Sequence, residues 1–143
     1  MAAATTRMEI LMVEDSPGAV RLAIEAVRDA QLDSNLNVAE DGVAALDYLY
    51  RRPPHTDAVR PDLILLDLNL PRKNGYEVLD VIRHDPSLSA IPVVVMSTSQ
   101  AEYDVARAYE LHANCYVVKP VDYMAFVDLI KGLRRFMQPQ AGD

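Results

Sequence analysis

Four short apolar runs, each closed by an isolated polar or charged group, constrain the fold of this chain more than any other feature. Ile10-Leu11-Met12-Val13 ends at Glu14-Asp15, Leu63-Ile64-Leu65-Leu66 at Asp67, Val93-Val94-Val95-Met96 at Ser97, and Tyr116-Val117-Val118 at Lys119-Pro120. Runs of this length, apolar throughout rather than alternating, predict strands buried on both faces, as in a parallel sheet covered by helices. Open sheets of that kind hold ligands beyond the carboxyl ends of their strands. Two or three carboxylates, a hydroxyl and an amine are therefore expected to meet at one rim.

The segments between the runs read as helices. Ser16 followed by Pro17 supplies a cap and a first helical residue, and Val20, Ala23, Ile24 and Val27 mark an inward face as far as about Ala30. Leu36 to Ala39 reads as a second strand, and Asp41 as the cap of a helix carrying Ala44, Ala45, Leu46 and Leu49. Arg51 to Pro61, with Pro53-Pro54, is a breaker-rich loop. A third helix spans Tyr76 to His84 and stops at Asp85-Pro86, and Pro92 opens the next strand. Gln100 to Leu111 forms a fourth helix and Cys115 to Val118 a fifth strand. Asp122 to about Met137 forms a fifth helix, with Phe126, Leu129, Ile130 and Leu133 inward. Five alternations predict an α/β, doubly wound sheet with helices on both faces. A chain of 143 residues encloses one such core. The expected organisation is a frayed arm over residues 1–7, one domain over 8–137 and a short tail over 138–143.

With 21 acidic against 14 basic side chains the formal net charge is −7, which disfavours sequence-independent binding to nucleic acid or an anionic membrane. Cys115 is a single cysteine, so no intramolecular disulfide is possible. The chain shows neither a signal-peptide pattern nor an apolar stretch of about 18 residues, and the expectation is a soluble cytoplasmic protein. His55, His84 and His112 have no paired metal-ligand spacing.

The expected rim has a definite chemistry. A carboxylate is a weak nucleophile, but Asp67 can attack phosphorus if a cation neutralises the phosphoryl oxygens and the donor is held in line. Mg²⁺ suits an all-oxygen site that retains water. Asp15, Asp67 and a main-chain carbonyl such as that of Asn69 could share it, with Glu14 acting directly or through water. Without a cation, carboxylates about 4 Å apart repel by roughly 4 kcal/mol at an effective dielectric of 20. Lys119 is a compact positive charge able to pair with Asp67 and then with a phosphoryl oxygen. The Ser97 hydroxyl can donate to another oxygen. Tyr116, with its apolar ring and polar tip, is placed to follow such a change between exposed and buried positions.

Taken in order, Val13-Glu14-Asp15, Leu66-Asp67-Leu68-Asn69-Leu70-Pro71, Ser97-Thr98 and Tyr116-Val117-Val118-Lys119-Pro120 resemble the receiver domain of two-component response regulators. The resemblance covers the chain from about Met8 to Met137. It implies a flavodoxin-like (CheY-like) five-stranded sheet in order 2-1-3-4-5. It further implies a phosphoryl group accepted on Asp67 from a histidine kinase or phosphotransfer protein, Mg²⁺ held at Glu14, Asp15 and Asp67, and a response by Ser97 and Lys119. Donor specificity would lie in the first helix and adjacent loops. Leu68 to Gly75, the long segment before Pro61, Ser97-Thr98-Ser99 and Asn114-Cys115-Tyr116 are similar to single-domain regulators that partner bacterial phytochromes. One departure is Thr98, where the family usually carries a very small residue, and its bulk is expected to narrow access to the site. The face formed by the fourth helix, fifth strand and fifth helix, bearing Tyr109, Tyr116, Tyr123 and Phe136-Met137, is expected to form a homodimer.

Other readings compete with these assignments. A lone acidic residue at a strand end is usually a solvated turn or helix cap, and Lys119 alone would be an ordinary surface cation. Their ordered combination is what gives them meaning. A phosphatase resembling haloacid-dehalogenase enzymes would place a second aspartate two residues after the nucleophile, where this chain has Asn69. An unphosphorylated scaffold is opposed by Asp15, Asp67 and Lys119. Flavin binding is opposed by Asp15-Ser16-Pro17-Gly18, which lacks the hydroxyls of a phosphate cradle, and a transcription factor would need an effector domain. Cys115 reads as a small core residue rather than a reactive thiol. Arg134-Arg135 is too short a basic run to imply nucleic-acid binding.

Overall fold

The computed structural model describes residues 7–70, 74–98, 102–119 and 122–132. Along these residues strands and helices alternate: β1 (Met8–Val13), α1 (Pro17–Asp29), β2 (Ser34–Ala39), α2 (Gly42–Leu49), β3 (Leu63–Asp67), α3 (Gly75–His84), β4 (Val93–Ser97), α4 (Glu102–Glu110), β5 (Cys115–Val118) and α5 (Tyr123–Gly132). The strands are parallel, in order β2-β1-β3-β4-β5. The predicted parallel sheet and its order are both observed.

The apolar runs account for the layering. Successive strand residues point to opposite faces. Leu11, Val13, Ile64, Leu66, Val93 and Val95 thus pack with residues of α2, α3 and α4, while Ile10, Met12, Leu63, Leu65, Val94 and Met96 pack with α1 and α5. Each such side chain removed from water contributes about 1.5–3 kcal/mol. Two-sided burial is why these strands show no polar alternation.

Helix starts follow local chemistry. Ser16 Oγ accepts the Ala19 amide at 3.3 Å, Asp41 Oδ1 that of Ala44 at 2.8 Å, and Asp122 Oδ2 that of Ala125 at 3.2 Å. At α3, Asn74 and Glu77 form a reciprocal capping box. The helix therefore begins at Gly75, a residue before the periodicity predicts. Helix ends are less legible. Gln31, Arg51 and His112 follow α1, α2 and α4 with positive φ of 57°, 56° and 64°. The amides of Leu32, Arg52 and Ala113 then close back on Val27, Asp47 and Ala108, the wrapped ending that glycine usually supplies.

Three expectations need correction. β2 begins at Ser34 rather than Leu36, because it pairs with β1 from Met8 onward. Ile24, expected inward, is 44% exposed; α1 buries Ala23, Ala26 and Val27, and Ile24 lines an open cleft with Val38 of the edge strand β2. Within its described residues α4 runs from Glu102 to Glu110 and does not reach Leu111, where a turn begins. The predicted start at Gln100 lies outside the described residues, as do Pro71, Ser99, Pro120 and the stretch from Leu133 to Met137 with Arg134-Arg135 and Phe136.

Candidate phosphoryl-transfer site

The strand order creates the site. From β1 the chain runs outward to β2, then crosses back over β1 to β3, so a crevice opens between the carboxyl ends of β1 and β3. Val13 pairs with Leu66 in register, which brings the next residues, Glu14 and Asp67, side by side. Ser97 ends β4 opposite Val118, so Lys119 emerges one residue beyond. The amide of Lys119 donates to the Ser97 carbonyl at 2.7 Å, fixing that step.

Glu14 is 2% exposed and Asp67 6%. Burying two carboxylates together requires a counter-charge, and Lys119 provides it. Its Nζ donates to Glu14 Oε1 and to Asp67 Oδ2 at 3.3 Å. Burial pushes the Glu14 carboxyl up, partly offset by the Lys119 ammonium and reinforced by Asp67. Burial pulls the Lys119 ammonium down, but the two carboxylates outweigh it and its pKa ends raised. The remaining oxygens are held by main chain: Ser16 N donates to Glu14 Oε2 at 3.3 Å, and Asn69 N to Asp67 Oδ1 at 2.9 Å.

Asp15 is exposed at the rim. One carboxylate oxygen each from Glu14, Asp15 and Asp67 lie within 4.8 Å of one another. Three hard oxygen donors at a partly open crevice, with no thiolate or imidazole among them, suit a divalent cation such as Mg²⁺ or Mn²⁺.

The other expected residues surround this centre. Ser97 is buried. Thr98 is exposed beside it, its Oγ1 accepting from Asn69 Nδ2 at 3.4 Å. Tyr116 is half-buried against the core, and its amide donates to the Tyr109 hydroxyl at 3.2 Å. Cys115 is half-buried and packs against the cluster on the α1 and α5 side.

Sequence reasoning missed three features. Lys119 engages Glu14 as well as Asp67, across 105 residues of chain. Asn69 bridges to Thr98. Gly75 seats α3 directly on the Asp67 backbone: a Cβ there would lie 2.6 Å from both the Asp67 carbonyl oxygen and Leu68 Cα. Only the glycine in Asn74-Gly75 hinted at the last.

A doubly wound parallel sheet carrying a carboxylate cluster and a lysine at its switch point is the architecture of a receiver. The chain matches the response regulator receiver domain over residues 10–131 and belongs to that family. Among curated proteins it is 43% identical over 127 residues to response regulator Rcp1 of Synechocystis, covering 89% of this chain and 86% of that one. The phosphorylated cyanobacterial phytochrome response regulator RcpA superposes with a TM-score of 0.83 at 42% identity, covering 92% of this chain and 94% of that one. The Mn²⁺-bound form of Rcp1 gives 0.82 at 41% identity, covering 94% and 96%. No helix among the described residues is long and apolar enough to cross a membrane.

Proposed function

We propose that this receiver accepts a phosphoryl group on Asp67 from a phosphohistidine in a histidine kinase or phosphotransfer protein, and signals through protein contacts that depend on that modification. The carrying observation is the Asp67 carboxylate in the β1/β3 crevice, within 4.8 Å of oxygens of Glu14 and Asp15 and 3.3 Å from Lys119 Nζ. An Asp67 carboxylate oxygen forms the new P–O bond as the donor's P–N bond breaks, and the imidazole, already protonated on its other nitrogen, leaves as a neutral ring that keeps the electron pair. Glu14, Asp15, Asp67 and the Asn69 carbonyl would hold Mg²⁺, which would neutralise charge at the phosphoryl oxygens. Lys119 and the Ser97 hydroxyl hold the oxygens of the product, and Tyr116 follows them.

The likeness to the phytochrome response regulator RcpA supports a phytochrome-type kinase as the partner. The donor docks on α1, where Val20 and Ile24, with Val38 of the adjoining β2, offer apolar contacts among Arg21, Glu25 and Arg28. These side chains line a cleft of about 620 Å³ that reaches Glu14 and Asp15. Incubating the protein with Mg²⁺ and acetyl phosphate, followed by borohydride trapping and mass mapping, is expected to place one acid-labile adduct on Asp67. An adduct mapped elsewhere would refute the assignment.

Thr98 limits access to the phosphorus. Removing its methyl and hydroxyl in Thr98→Ala is expected to speed phosphorylation by small donors about two- to fivefold, equivalent to roughly 0.4–1 kcal/mol of barrier. Equal rates at matched Mg²⁺ and donor would rule out the steric account.

Assembly as a homodimer through α4, β5 and α5 is the expected output contact. Tyr103 and Tyr109 of α4 and Met124 of α5 are exposed, at 68%, 47% and 62%, and contribute apolar area among charged neighbours. Tyr123 does not join them, since its hydroxyl donates to Asp29 of α1. Sedimentation at several concentrations, with and without beryllofluoride and Mg²⁺, should show a dimer. A monomer throughout would remove this interface.

A further inference from the structure

One aromatic side chain joins the backbone beneath Asp67 to the helix of the expected output face. Gly75 packs so closely on Asp67 and Leu68 that no Cβ fits, and the Gly75 amide donates to the Leu68 carbonyl at 3.1 Å. The next residue, Tyr76, is therefore tied to any displacement of the Asp67-Leu68 backbone. Its hydroxyl reaches α4, donating to Asp104 Oδ1 at 3.1 Å and to the Asp104 carbonyl at 3.2 Å. The Arg107 guanidinium, one turn on, lies 4.1 Å from the centre of the Tyr76 ring, within the range of a cation–π contact. On its other side α4 is tied to β5 by Tyr109 and the Tyr116 amide.

We propose that Tyr76 is a positioning residue of the switch, transmitting displacement of the Asp67-Leu68 backbone to α4 through Asp104 and Arg107. This rests on Asp67 being the phosphoacceptor. Tyr76 grips the first two turns from the side, at residues three apart on one face. Burial, then the hydrogen bond to Asp104, push the Tyr76 hydroxyl up to about 12, so it stays a neutral donor at physiological pH. A contact route is a physical claim only if both ends are shown to be coupled.

Amide NMR of the full chain with Mg²⁺ and beryllofluoride supplies that test. In wild type, amides at Asn69 and Ser97 and those from Val105 to Tyr109 are expected to shift together. Tyr76→Phe keeps the ring over Arg107 and removes the hydroxyl. It should leave the Asn69 and Ser97 shifts and their saturation unchanged while reducing the α4 shifts at least twofold. Asp104→Ala keeps the main-chain carbonyl as an acceptor and should reduce the α4 shifts by a smaller factor, and the double variant should lose no more than Tyr76→Phe alone. Full-sized α4 shifts in Tyr76→Phe, or losses that add in the double variant, would overturn the proposal. So would loss of the Asn69 and Ser97 response in Tyr76→Phe, which would make the residue structural. A wild type unresponsive at every amide would instead remove the phosphoacceptor reading itself, and the coupling with it.

Discussion

Asp67→Asn is expected to abolish acid-labile phosphorylation while leaving the protein folded. The amide keeps the size of the side chain and an oxygen to accept from the Asn69 amide, but it lacks the anionic oxygen that attacks phosphorus. Folding should survive because Lys119 retains Glu14 as a partner. Removing one of three clustered carboxylates also lowers their mutual repulsion, so the urea midpoint should stay level or rise. Chelating divalent cations should silence wild-type labelling in the same way, since the Glu14, Asp15 and Asp67 oxygens then face the donor's phosphoryl charge with the single ammonium of Lys119 to offset three carboxylates. Label incorporated at unchanged yield by Asp67→Asn would rule out this residue as the acceptor.

Gly75→Ala should produce the largest loss of stability of any single methyl addition near the site. The added Cβ meets the Asp67 carbonyl oxygen and Leu68 Cα at 2.6 Å, with Leu68 Cδ2 at 3.0 Å. Two of those atoms are backbone, so neither can turn aside as a side chain would. Either α3 backs away from the sheet, opening the packing of Val78, Leu79 and Ile82, or the end of β3 moves. Overpacking of this kind costs about 1–3 kcal/mol, and rigid contacts on both sides argue for the upper end. Urea unfolding should show a lower midpoint with little change in slope. Because the atoms displaced belong to Asp67 and Leu68, phosphorylation of the variant should slow as well. A variant with wild-type stability would mean that α3 is not held against Asp67 as described.

Residues near one another in the chain carried most of the fold into view. The all-apolar runs at β1, β3 and β4 identified a parallel sheet because both of its faces are covered. Ser16-Pro17 and Asp41 marked helix starts because capping is chemistry within three residues. The ends of α1, α2 and α4 were harder, since Gln31, Arg51 and His112 adopt a conformation usually signalled by glycine. Ile24 was misjudged for a related reason. Helical spacing defines a stripe, but how much of it is covered depends on β2 being an edge strand, which leaves Ile24 exposed beside an exposed Val38.

The sequence by itself determined the chemical inventory at the rim, namely Glu14, Asp15, Asp67, Ser97 and Lys119, because each closes or follows an apolar strand and a parallel sheet gathers such ends at one edge. Only the tertiary structure decided how those groups share their charges. The Lys119 link to Glu14, the seat of Gly75 on Asp67, and the reach of Tyr76 to Asp104 join elements 105, 8 and 28 residues apart. Strand and helix periodicity carries no information about such pairs, because they are set by sheet order, by register and by how closely each helix packs on the sheet.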